Sequence, residues 1–64
     1  GRYAEAEPLY KKSLGIKERL YGANDPQVAA TLRNYANLLQ DMGRDSEAKD
    51  LNSRARKIEE SAGE

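Results

Sequence analysis

Gly1-Arg2-Tyr3-Ala4-Glu5-Ala6 returns 42 residues later as Gly43-Arg44-Asp45-Ser46-Glu47-Ala48. The register persists beyond these stretches: Leu9 falls on Leu51, Ile16 on Ile58 and Glu18 on Glu60. Together with Gly1/Gly43, Arg2/Arg44, Glu5/Glu47 and Ala6/Ala48, that makes seven identities in 22 aligned positions. A period of this size marks helical arrays, in which each unit buries its apolar side against the next. The Gly-Arg turn coincides as well as the apolar spacing, which argues against two amphipathic helices matching by chance.

Chain breaks lie between the repeated stretches. Gly22 reads as a helix stop, and Asp25-Pro26 as an N-cap followed by proline at the first helical position. Gly43 is a second stop, and Asp45 a second N-cap. These signals predict helices over 3–21, 26–42 and 45–61. Connections this short force neighbouring helices antiparallel. Pro8 comes near the start of the first helix, where a lost hydrogen bond costs least. Gly15 costs about 1 kcal/mol relative to alanine.

Placing residues at about 100° intervals separates the faces. The second helix carries Val28, Leu32, Tyr35, Ala36, Leu38, Leu39 and Met42 on one side and Gln27, Arg33, Asn34, Asn37, Gln40 and Asp41 on the other. The first helix has two apolar stripes: Ala6, Leu9, Ser13, Ile16 and Leu20, then Tyr3, Tyr10, Leu14 and Tyr21. The third keeps only the first stripe, as Ala48, Leu51, Ala55, Ile58 and Ala62. The counterparts of its second stripe are Asp45, Asn52, Arg56 and Gly63. Two stripes suit a helix between two neighbours and one stripe suits a terminal helix, so the third helix is expected to be the polar cap of an array.

These residues carry a family resemblance. Gly1 to Leu14 (GRYAEAEPLYKKSL) resembles the second helix of the 42-residue tetratricopeptide repeats of kinesin light chain. The connection from Tyr21-Gly22 to Asp25-Pro26-Gln27-Val28 resembles theirs too, and Thr31-Leu32-Arg33-Asn34-Tyr35-Ala36-Asn37-Leu38-Leu39 resembles the first helix of the next repeat. The likeness fades after Asp45. It implies an all-α fold of three antiparallel helices, one and a half tetratricopeptide-type repeats of an α-solenoid. Residues 1–22 would be the second helix of one repeat, and 25–64 a complete repeat and C-terminal cap. A chain opening Gly1-Arg2-Tyr3 without methionine is expected to be a piece of something longer.

Composition narrows the function. Sixty-four residues form one small domain with a marginal core. Cysteine and histidine are both absent, which removes disulfides, the usual zinc ligands and the commonest catalytic nucleophile and base. There is no glycine-rich phosphate loop, so neither an enzyme nor a cofactor or metal is expected. Eleven basic and eleven acidic residues cancel, and the basic clusters lack an aromatic stacking platform, against nucleic-acid binding. Lys11, Lys12, Lys17 and Arg19 interleave with Glu18 and solvate the first helix, while Arg54, Arg56 and Lys57 suit the later turns of the third. Glu59-Glu60 reads as an adjacent pair on an exposed helix end, and core or turn packing accounts for the four tyrosines. No membrane-length apolar run and no signal-peptide pattern occurs. Lack of cysteine is compatible with a reducing compartment, and a cytoplasmic location is the expectation.

Protein or peptide partners are therefore expected. The candidate peptide-binding residues are Arg33, Asn34, Asn37, Gln40 and Asp41, on the side that lines the inner groove of the resembled fold. Asparagine offers donors and acceptors and arginine a donor fork, suited to an extended peptide's backbone and carboxylates. The resemblance implies peptide contact at Asn34. Arg33 and Asn37 also resemble, in spacing, the basic residue and asparagine of carboxylate-binding grooves, which need further basic residues from neighbouring repeats. A solvated helix face would use the same residues. The alternative function is purely structural: a capping and self-association segment of a repeat array, with no ligand of its own. The candidate self-association residues are Ala6, Leu9, Ser13, Ile16 and Leu20, a stripe that has lost its covering helix; a homodimer or higher assembly centred on it is expected.

Overall fold

The computed structural model describes residues 2–62. Helix α1 spans Tyr3–Tyr21, α2 Pro26–Asp41 and α3 Asp45–Ala62, within one residue of the bounds expected from the breaks. No strand occurs among the described residues, and none of their helices is long and apolar enough to cross a membrane. Gly1, the side chain of Ala62 and Gly63, on which parts of the repeat and stripe reading rest, lie outside the described residues.

The caps explain the boundaries. The carboxylate of Asp25 accepts from the backbone N–H of Gln27 at 2.8 Å, and Pro26 occupies the first turn, where its missing N–H costs nothing. At the other end of α2 the N–H of Arg44 donates to the Leu39 carbonyl at 2.8 Å and that of Gly43 to the Gln40 carbonyl at 2.9 Å. This pair of bonds is the Schellman closure, which requires the left-handed φ of 77° that Gly43 supplies.

Helix α2 is central and α1 and α3 flank it. Val28, Ala29 and Leu32 pack with Ala55 and Ile58 in one cluster, with Leu14 and Leu51 against it. Tyr35, Ala36, Leu38 and Leu39 pack with Ala48 in the other, joined by Ala6, Tyr10, Met42 and Leu51. Low numbers in α1 and high numbers in α3 thus meet opposite ends of α2, so each neighbouring pair is antiparallel. The expected stripes of α2 and α3 are the buried ones, apart from the half-buried Met42 and Leu51. Ala29 and Thr31 are buried as well. Thr31 goes inside because its hydroxyl donates to the Gln27 carbonyl at 3.1 Å, which satisfies it within the helix. Helix α1 has no buried residue.

Candidate functional site

The outer face of α2 follows from the burial of the rest. With Leu38 through Ala29 covered over about half the circumference, Arg33, Asn34, Asn37, Gln40 and Asp41 are all exposed. They do not form one cluster. Arg33 and Gln40 lie toward α3, where they line an open groove of about 300 Å³ with Asp45, Lys49, Asn52, Ser53 and Arg56. Asn34 and Asp41 lie toward α1, and Asn37 sits between the two edges. The α3 side of this groove escaped the sequence reading. Its residues recur at positions 45, 49, 52, 53 and 56, the helical spacing of a single face beside the apolar stripe, which is the signal that marks them.

Arg33 is already engaged. Its Nε donates to Glu59 Oε2 at 2.8 Å and its second terminal nitrogen to Glu59 Oε1 at 2.5 Å, the two-pronged geometry that suits guanidinium and carboxylate. The hydrogen bond from Arg33 holds the Glu59 carboxyl below its ordinary value, and Glu59 raises Arg33 in turn. Glu60 pairs with Arg56 at 3.0 Å. The adjacent glutamates therefore face different partners and do not act together. Lys49 is exposed, and among the described residues it forms no ion pair, so it is a free cation on the groove.

A second polar cluster, also missed by sequence reasoning, sits where the three helices converge. Glu7 of α1 accepts from the Tyr35 hydroxyl at 2.8 Å and from Arg44 at 2.7 Å, and Arg44 also pairs with Glu47. The Tyr10 and Tyr35 rings stack at 5.9 Å. Burial, then the bond to Glu7, pushes the Tyr35 hydroxyl up to about 12. The Tyr35 hydrogen bond, followed by Arg44, lowers Glu7. A tyrosine on a core stripe is the sequence signal for such a partner, because a buried hydroxyl requires one.

The self-association stripe is where the sequence puts it, on the side of α1 away from α2. Leu9, Ile16 and Leu20 are 67%, 46% and 70% exposed, whereas Ala6 and Ser13 are half-buried. Ala6, Leu9, Tyr10 and Ser13 surround a depression of about 320 Å³, and Ile16, Arg19 and Leu20 another of about 310 Å³.

Among the described residues no group of histidine, cysteine, aspartate or glutamate is arranged to hold a metal ion. The sequence model of the tetratricopeptide repeat family matches residues 1–61. No curated protein and no solved structure matches the chain.

Proposed function

The chain belongs to the tetratricopeptide repeat family, and from that premise we propose that it binds an extended peptide or protein segment on the polar face of α2. Repeats of this family are non-catalytic and mediate protein–protein interaction. The observation that supports this face is its exposure. Asn34, Asn37, Gln40 and Asp41 point away from a helix whose other side is buried, and Arg33 and Gln40 continue into the groove beside α3. Amide side chains on a rigid helix pair with an extended backbone at little entropic cost. Lys49 offers a carboxylate a charge partner, and a ligand carboxylate could exchange with Glu59 on Arg33. The 42-residue spacing favours the kinesin light chain-like type of repeat, with 1–22 the second helix of one repeat and 25–64 the next.

Titration with acidic peptides, followed on the backbone and side-chain amides, tests this reading. Shifts centred on Asn34, Asn37 and Gln40, lost on Asn34→Ala with Asn37→Ala, are expected. Silence of these amides across a broad library of acidic sequences would sink it.

A second reading draws on the α1 strip: a structural capping segment that associates through Leu9, Ile16 and Leu20, as a homodimer when the chain is alone. Its support is the exposure of three large aliphatic side chains on one helix of so small a domain.

A further inference from the structure

The α1 strip has the form of a helix-binding seam. Ala6, Leu9, Ser13, Ile16 and Leu20 follow alternating spacings of three and four residues, the a and d positions of a heptad. The depression bounded by Ala6, Leu9, Tyr10 and Ser13 lies among residues i, i+3, i+4 and i+7. That is the four-residue hole into which a side chain of a facing helix inserts. Ile16, Arg19 and Leu20 begin a second such hole farther along. The small side chains of Ala6 and Ser13 keep the seam open to a large aliphatic knob.

The charges along the seam specify what fits it. The repeat supplies the comparison, because α3 presents the equivalent stripe in its covered state. There, Arg54 on one edge pairs with Glu18 at 2.6 Å and Glu59 on the other pairs with Arg33. The equivalents on α1 are Lys12 and Lys17. Lys12 keeps the sign of Arg54 and so requires an acidic counterpart. Lys17 reverses the sign of Glu59, so where α3 meets an arginine, α1 requires an acid. Arg19 adds a third cation on the Lys12 edge. Among the described residues none of the three forms an ion pair.

A second copy of the chain fits poorly. An antiparallel pairing that sets Leu9 against Leu20 and Ser13 against Ile16 brings Lys12 beside Arg19 of the other copy, twice. Sliding the pair by one heptad joins Glu5 to Arg19 but leaves Leu20 uncovered and Lys12 against itself. A helix like α2 of a second copy would bring its own Arg33 to Lys17.

We propose that the α1 seam docks a separate amphipathic helix, antiparallel to α1, with large aliphatic knobs and acidic residues on both edges. This surface is distinct from the polar face of α2, and its occupant displaces any weak association of two copies.

The test uses the whole chain and two synthetic amphipathic peptides, both with a leucine stripe at a and d. One carries glutamate at e and g, and the other lysine. Binding is measured by calorimetry and located by amide shifts. The acidic peptide is expected to bind about tenfold more tightly than the basic one, with shifts on Leu9, Ser13, Ile16 and Leu20 and none on Asn34 or Asn37. In the Lys12→Glu, Lys17→Glu variant the preference should invert. Should that variant fail to fold, the wild-type ratio decides alone. Equal affinity for the two peptides overturns the proposal, as does acidic-peptide binding confined to the α2 face. So does a chain dimer that the acidic peptide cannot displace. Failure of acidic, extended peptides at Asn34 leaves this result unaffected, because the two sites have separate reporters.

Discussion

Leu39 and Asn34 share α2 but not its environment. Leu39 is 2% exposed, in the cluster to which α1 contributes Ala6 and Tyr10 and α3 contributes Ala48. Asn34 faces water. Leu39→Ala removes buried methyl groups and leaves a cavity that a small core can only partly close, at a cost of about 2–5 kcal/mol. Asn34→Ala should stay within about 0.5 kcal/mol. Thermal melts of the two variants check this, and similar losses would contradict the assigned faces. Tyr35 adds a pH signature. Its hydroxyl is protonated in the fold and pushed from 10.0 to about 12, so the stability it contributes is whole below pH 10 and drains away between 10 and 12. Glu7, Glu47 and Glu59 are held below the ordinary 4.5, so their contribution is present above that value and is lost as pH falls through the lowered one. Tyr35→Phe should melt lower than wild type at neutral pH, with the gap narrowing above pH 10. A gap that is constant through pH 12 would mean that the bond to Glu7 carries no stability.

At the scale of an element, two glycines predict opposite outcomes. Gly43 ends α2 with φ 77°, and a methyl group there would meet nothing within 4 Å. Only the backbone objects, and Gly43→Ala should cost about 1–2 kcal/mol. Gly15 lies inside α1, also with open space around a built Cβ. Gly15→Ala restricts the unfolded chain and favours the helix, so it should stabilise by about 0.4–1 kcal/mol. Urea midpoints compared at constant slope would report both. The helices also differ in what secures them. Helix α2 is held by burial on half its surface. Helix α1 relies on Leu14, Tyr10 and Ala6 together with two polar links, Glu7 to Tyr35 and Arg44, and Glu18 to Arg54. It is therefore the element expected to open first when these links are screened or protonated.

For the molecule as a whole, the unpaired seam of α1 sets the association behaviour. The chain alone should show weak, concentration-dependent sedimentation that Leu9→Lys with Ile16→Lys abolishes. Added salt screens Lys12 from Arg19 across two copies, so self-association should strengthen with ionic strength, whereas docking of an acidic helix should weaken. A monomer at high micromolar concentration in both low and high salt would remove self-association from the account and leave the seam to a different occupant.

The sequence by itself determined the helices, their breaks and their buried stripes, because those rest on local chemistry. Asp25-Pro26 caps, Gly43 turns, and the spacing of Val28, Leu32, Leu39, Ala48, Ala55 and Ile58 needs only helical periodicity to be read. The exposed stripe of α1 was legible for the same reason, through its 42-residue equivalence with α3. Tertiary structure alone decided which polar groups meet. Arg33 finds Glu59 across 26 residues, Glu7 finds Tyr35 across 28, and Arg44 reaches back to Glu7 across 37. No local pattern encodes such pairs, since a long side chain at the edge of a stripe can turn toward solvent or toward either neighbour. The packing distance between helices selects among these. Hence the candidate binding face was found as a list of exposed residues, but its division into an α3 groove and an α1 edge emerged only once the helices were packed.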